Sequence, residues 1–179
     1  MKKLMIIAAM AAVGFVGASQ AASTGTITFN GEVTATTCDA NVDGQGPDAT
    51  IVLPTVGSNQ LTVKGDTAGR TGFNIGLSNC AGTLQTASAF FEAGNTVDLV
   101  TGHLKNTGGD AQNVSLQLRE MNSAESVIIA GNSNQTANAT YYDISTGSAD
   151  MPYSVEYFAD DAVTAGTVNS SVIYSIQYK

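Results

Sequence analysis

Val172-Ile173-Tyr174-Ser175-Ile176-Gln177-Tyr178, next to the C-terminal residue, alternates strictly: positions 172, 174, 176 and 178 share one face. A period of two is the signature of a β-strand with one side on a core and the other toward solvent. The same period appears in Thr26-Ile27-Thr28-Phe29-Asn30, Phe73-Asn74-Ile75-Gly76-Leu77, Val114-Ser115-Leu116-Gln117-Leu118 and Tyr153-Ser154-Val155-Glu156-Tyr157. Ala49 to Leu53 and Ser126 to Ala130 are short apolar runs that read as buried strands. Clusters rich in Gly, Asn, Asp, Ser and Thr separate them, at Asp43 to Pro47, Asn106 to Asp110 and Gly131 to Asn138, and read as turns and loops. Helical spacing is missing from any window of useful length; Thr83 to Ala93 is expected to form at most one short helical turn. Many short strands at this spacing predict an all-β, antiparallel sandwich in one domain.

Composition removes several function classes. Of 179 residues 43% are hydrophobic and 12% charged, which argues against disorder. A net charge of −8, with no basic run, is the wrong sign for a nucleic-acid partner. Two cysteines and one histidine are too few for the usual zinc site. At the N-terminus, Lys2 and Lys3 precede an apolar run from Leu4 to Val16, and Ser19 and Ala21 are the small residues a signal peptidase reads. Residues 1–21 are therefore expected to be a cleaved signal peptide, because the run falls short of the ~20 apolar residues a membrane span needs. Cleavage takes the charge from −8 to −10, since the segment carries two lysines and no acid. The cysteines that remain are Cys38 and Cys80. In an oxidising compartment the simplest pairing is one disulfide, which restricts the unfolded chain by an entropy contribution of ~4 kcal/mol. A free catalytic thiol is the competing reading, poorly served by a single histidine.

Residues 22–33 form an uncharged strand pattern up to Glu32, directly after the expected cleavage point. Periodicity alone reads it as the first strand of the same sandwich. Phe29-Asn30-Gly31-Glu32-Val33 followed by Cys38 resembles the start of the pilin subunits of chaperone–usher fimbriae. Gly72 to Cys80 resembles the segment with that family's second cysteine. Tyr157-Phe158, then Gly166 fourteen places from the end, then alternation into the penultimate Tyr178, resembles its chaperone-recognition motif. The likeness runs through residues 22–179 and leans toward the major subunits of type 1 fimbriae.

That resemblance implies an incomplete immunoglobulin-like β-sandwich completed by donor-strand exchange. It divides the chain into a signal peptide (1–21), a donor extension (22–31) and a pilin domain (32–179). Gly25, Ile27, Phe29 and Gly31 would form the donor face. Gly166 and the strand bearing Val172, Tyr174, Ile176 and Tyr178 would edge the acceptor groove and face the chaperone. The implied function is a structural subunit of a surface fimbria that supports adhesion, with a minor or adaptor pilin, or a receptor-binding shaft subunit, as the alternative. Implied partners are identical or related pilin subunits, a periplasmic chaperone and an outer-membrane usher, with the host receptor unknown. The implied route is through the periplasm to the extracellular fimbrium, with no cofactor, metal or catalytic residue.

Chemical motifs are weak. Asp39 to Gly44 matches half of a calcium loop, but Thr50 stands where a bidentate Glu is required, so a hydrophilic turn after Cys38 is expected. His103 reads as a surface histidine and Asp160-Asp161 as a solvated loop. Glu120 and Glu125 are the other imaginable pair of carboxylates for glycoside hydrolysis. Asp66 and Arg70 are expected to form an exposed ion pair worth under ~1 kcal/mol.

Overall fold

The structure is a computed structural model that describes residues 25–31, 33, 37–122 and 124–179. The expected signal peptide and residues 22–24 of the expected extension lie outside the described residues. Two compact units divide the chain, Met1–Glu32 and Val33–Lys179. In the first, residues 25–31 take no regular secondary structure and are exposed. The alternation of residues 26–30 therefore makes no ladder of its own.

The second unit consists of two antiparallel sheets. One has the strand order β1 (Thr37–Val42), β2 (Thr67–Ala81), β8 (Ala149–Ala159), β5 (Val114–Glu120) and β4 (Leu104–Lys105), with β6 (Val127–Ile128) added on β5. The other has the order β7 (Tyr142–Asp143), β3 (Thr86–Phe91) and β9 (Tyr174–Tyr178). One 3-10 turn spans Ser58–Gln60 and one helical turn, α1, spans Gln135–Asn138. Among the described residues no helix is long and apolar enough to cross a membrane.

The alternating runs produce the core as expected. Ile75 and Leu77 from β2, Leu116 and Leu118 from β5, and Met151, Tyr153 and Val155 from β8 face Ala87, Ala89 and Phe91 from β3. Tyr153 ties the layers together. Its ring meets Phe91 edge-on at 5.3 Å between centroids, and its hydroxyl accepts a hydrogen bond of 3.1 Å from the Ala89 N–H. The disulfide Cys38–Cys80 joins β1 to β2, closing a separation of 42 residues.

Several local expectations are corrected. Thr83 to Ala93 is not helical: residues 86–91 are β3, because Ala87, Ala89 and Phe91 are needed on the core face and sheet pairing overrides weak local propensity. Residues 39–42 continue β1, so the turn after Cys38 comes later, where Asp43 (φ 48°) and Gly44 (φ 77°) reverse the chain. Ser126 to Ala130 contributes only the two-residue strand β6. The stretch from Gly131 to Asn138 contains α1, whose buried Gln135 acts as a substitute strand residue. Its Oε1 accepts from Phe91 N at 3.0 Å and its Nε2 donates to Phe91 O at 2.9 Å.

The polar alternates of the larger sheet are not toward solvent. Ser115, Gln117, Ser154 and Glu156 are buried on the face away from the core. Glu156 is held between Arg119 Nε at 2.6 Å and Arg70 Nε at 2.8 Å. Arg70 thus pairs with Glu156 and Glu125 rather than with Asp66, which instead caps the Thr62 and Val63 N–H groups. His103 is also buried rather than on the surface, at 7% exposure, over the ring of Phe158. Its Nε2 lies 3.0 Å from Gln117 Nε2 and its Nδ1 3.3 Å from Ser115 Oγ.

Burial lowers the His103 pKa below that of an ordinary histidine, and Lys64 acts in the same direction, although Asp160 and Asp98 pull it upward. The unfolded chain therefore takes up this proton at a higher pH than the folded one, and stability falls as pH drops below ~6.5. Urea melts of wild type should lose midpoint between about pH 7 and about pH 5.5, and His103→Gln should flatten that slope. Replacing both cysteines by alanine should cost roughly 2–5 kcal/mol in the same assay.

Candidate functional site

Strand β9 is paired along one edge only. Its register with β3 runs from Ala87↔Tyr178 to Phe91↔Tyr174, and its opposite edge carries no ladder among the described residues. The chain before it, residues 168–173, has no regular secondary structure but stays bonded to the segment after β3. Ile173 O accepts from Glu92 N at 2.8 Å, and Ser171 O accepts from the Thr96 hydroxyl at 2.6 Å. Strand β1 is likewise paired on one side, to β2. The stretch 49–56 that follows it, expected to include a buried strand at Ala49 to Leu53, takes no regular secondary structure. Strands β1 and β9, one from each sheet, thus each have an edge without a ladder among the described residues.

Val168, Val172, Tyr174, Ile176 and Tyr178, on and before β9, and Cys38, Ala40, Ile51 and Leu53, from β1 and the stretch after it, are apolar and only partly buried against the core. Elsewhere, inward residues of β2 and β8 such as Ile75 and Met151 have 0% exposure. Two phenols link the two regions. Tyr174 Oη donates to Pro47 O at 2.9 Å, and Cys38 N donates to Tyr178 Oη at 3.2 Å. Burial raises the Tyr174 pKa, assisted by the Asp48 charge, which keeps its hydroxyl a donor.

The structure brings Val172, Tyr174, Ile176 and Tyr178 into one row, as their period implies, although only Tyr174–Tyr178 form the ladder. Gly166 sits apart from that row, at a bend against the loop before β5. A Cβ there would fall 2.5 Å from Ala111 N and 2.8 Å from Asp110 Oδ1, so close packing requires glycine. Beside it Asp110 accepts from the Thr167 N–H at 2.5 Å and from its hydroxyl at 2.7 Å. Those bonds lower the Asp110 pKa. Asn106 Oδ1 accepts from Asn169 N at 2.8 Å. This clamp fixes where the chain leading into β9 begins, and sequence reasoning missed it because its partners lie 57 and 63 residues apart. On the other unit, Ile27 and Phe29 are exposed at 77% and 88%.

The acids considered for hydrolysis serve structural roles. Glu120 is buried and accepts from Thr140 N, Thr140 Oγ1 and Asn122 Nδ2. Glu125 pairs with Arg70 at 2.7 Å. Asp39 and Asp43 accept from Asn79 Nδ2 and Asn74 N, each at 2.8 Å.

The family model for the type-1 fimbrial protein, A (FimA), matches residues 53–179. The chain is 45% identical over 162 residues to the major fimbrial subunit SMF-1 of Stenotrophomonas maltophilia strain K279a, covering 88% of this chain and 94% of that one. It is 30% identical over 159 residues to a type-1 fimbrial protein, A chain, of Escherichia coli, covering 87% and 83%. In fold it is similar to the P pilus rod subunit PapA, with a TM-score of 0.60 over 79% of this chain and 99% of that one, at 16% identity. The chain belongs to the type-1 fimbrial protein family and is a structural fimbrial subunit rather than an enzyme.

Proposed function

We propose that this subunit forms a fimbrial shaft by donor-strand exchange, residues 22–31 of one copy entering the cleft beside β9 of the next. The observation that carries this is the half-covered apolar row on a strand edge with no partner. Such an edge is a template for pairing, and an added strand satisfies its backbone groups while alternate side chains fill the pockets. The donor offers the matching pattern. Gly25, Ile27, Phe29 and Gly31 share one face of an extended chain, and Ile27 and Phe29 are exposed.

Magnitudes favour a persistent joint. Burying Ile27 and Phe29 contributes roughly 1.5–3 kcal/mol each. Each backbone hydrogen bond adds about 0.5–1.5 kcal/mol. A donor at one end and an acceptor on the body make a head-to-tail contact that does not close, which is the geometry of a filament. The bare cleft would aggregate during export, so a periplasmic chaperone is the partner that covers it first, against the β9 edge and the Gly166 bend. An outer-membrane usher then exchanges that cover for the next subunit's extension on the way to the cell surface.

Donor and acceptor roles are separable by mutation. Phe29→Glu should leave secretion intact and abolish fibres seen by electron microscopy; normal fibres from it would overturn the donor assignment. Ile176→Lys should disable acceptance alone. A mixture of the two variants should stop at dimers on a sizing column, because only one productive joint is possible between them.

A further inference from the structure

Asparagine is followed directly by glycine once in this chain, at Asn30-Gly31. Both residues are exposed and outside regular secondary structure. A Cβ built on Gly31 would meet no atom within 4 Å. Every other asparagine precedes a residue with a side chain, and several are restrained: Asn41, Asn74 and Asn79 lie on strands, and the side chains of Asn106 and Asn122 are hydrogen bonded.

We propose that Asn30 is a site of spontaneous succinimide formation, one that ages the unassembled subunit and that incorporation into the fibre arrests. The second half of this inference rests on the donor-strand reading above. The Gly31 backbone nitrogen, after giving its proton to water, attacks Asn30 Cγ. A C–N bond forms to close a five-membered imide, and the side-chain nitrogen leaves as ammonia. Glycine permits this because no Cβ crowds the nucleophile and its backbone turns freely. Water then adds to one imide carbonyl and that C–N bond breaks. Opening at one carbonyl yields aspartate; opening at the other yields isoaspartate, with the main chain routed through the former side chain. One water is consumed and one ammonia released, with no oxidant or reductant.

Either product matters at this position. Each adds a negative charge beside Phe29. Isoaspartate also lengthens the backbone between Phe29 and Gly31 by one carbon, which breaks the period-two placement of the donor face. An aged subunit retains its cleft but offers a damaged donor, so it accepts and does not donate. In a seated strand the extended backbone holds the Gly31 nitrogen away from Cγ, and ring closure is suppressed. The chemistry thus removes subunits that wait too long and spares those already in a shaft.

The test compares purified full-chain subunit with assembled fibres, both incubated in mildly alkaline buffer at 37 °C, by peptide mass mapping and enzymatic methylation of isoaspartate. The 25–33 region of free subunit should gain one dalton and accept methyl groups, at least about tenfold faster than in fibres. The aged fraction should not polymerise when restarted alone, and mixed with fresh subunit it should shorten the fibres by ending them. Asn30→Gln should keep on storage whatever polymerisation competence it has when fresh, each protein being compared with its own unaged sample. An Asn30 that stays intact in the free subunit, or aged chains that polymerise as well as fresh ones, would overturn the proposal. Equal rates in free subunit and fibre would instead preserve the chemical site and sink the donor-strand reading of this segment.

Discussion

Among the described residues strand β9 forms its backbone ladder with β3 alone, and the polymerisation proposed for this subunit turns on that one-sided pairing. Its inward row, Tyr174, Ile176 and Tyr178, packs on the core from one direction and stays partly buried. A second strand, β1, is likewise paired on one side and is pinned by the Cys38–Cys80 disulfide to β2. The constraint is elementary: an extended backbone carries donors and acceptors on both edges, and a strand in the middle of a sandwich has both satisfied. Here the sandwich stops one strand short along this line, and the tyrosine hydroxyls reach across to Pro47 O and Cys38 N.

The larger sheet is fixed by pairing and by polar clamps. Strand β8 is paired on both edges, to β2 and to β5, and supplies Met151 and Tyr153 to the interior. On its far face Glu156 is gripped by two arginines from the flanking strands. A buried carboxylate paired this way contributes little net stability but is costly to disturb, so it locks the relative placement of three strands. The Asp110–Thr167 and Asn106–Asn169 bonds do the same for the chain leading into β9.

Much of this was legible in residue order. Phe73 to Leu77, Val114 to Leu118 and Tyr153 to Tyr157 each alternate and each lie in a strand, and the C-terminal run does so from Tyr174 onward. The cysteine pair was readable from count and compartment. What misled was local: Thr83 to Ala93 carries small residues of weak preference, and pairing with β9 decided its state. His103, Ser115, Gln117 and Glu156 looked solvent-facing because period two says only that alternate residues point apart, not that the second face is wet. Covering by the segment around His103 and by the arginine side chains is a long-range event without a local signature.

By itself, then, the sequence determined the β class, the inward residues of the alternating runs in β2, β5, β8 and β9, and the disulfide, all consequences of periodicity and chemistry within a few neighbouring positions. Only the tertiary structure decided that residues 25–31 are exposed, that β9 has an edge without a ladder among the described residues, and that Gly166 is glycine because Ala111 passes so close. Those depend on which distant stretches meet, and hydrogen-bond pairing between edges is set by the whole arrangement of strands rather than by any one of them.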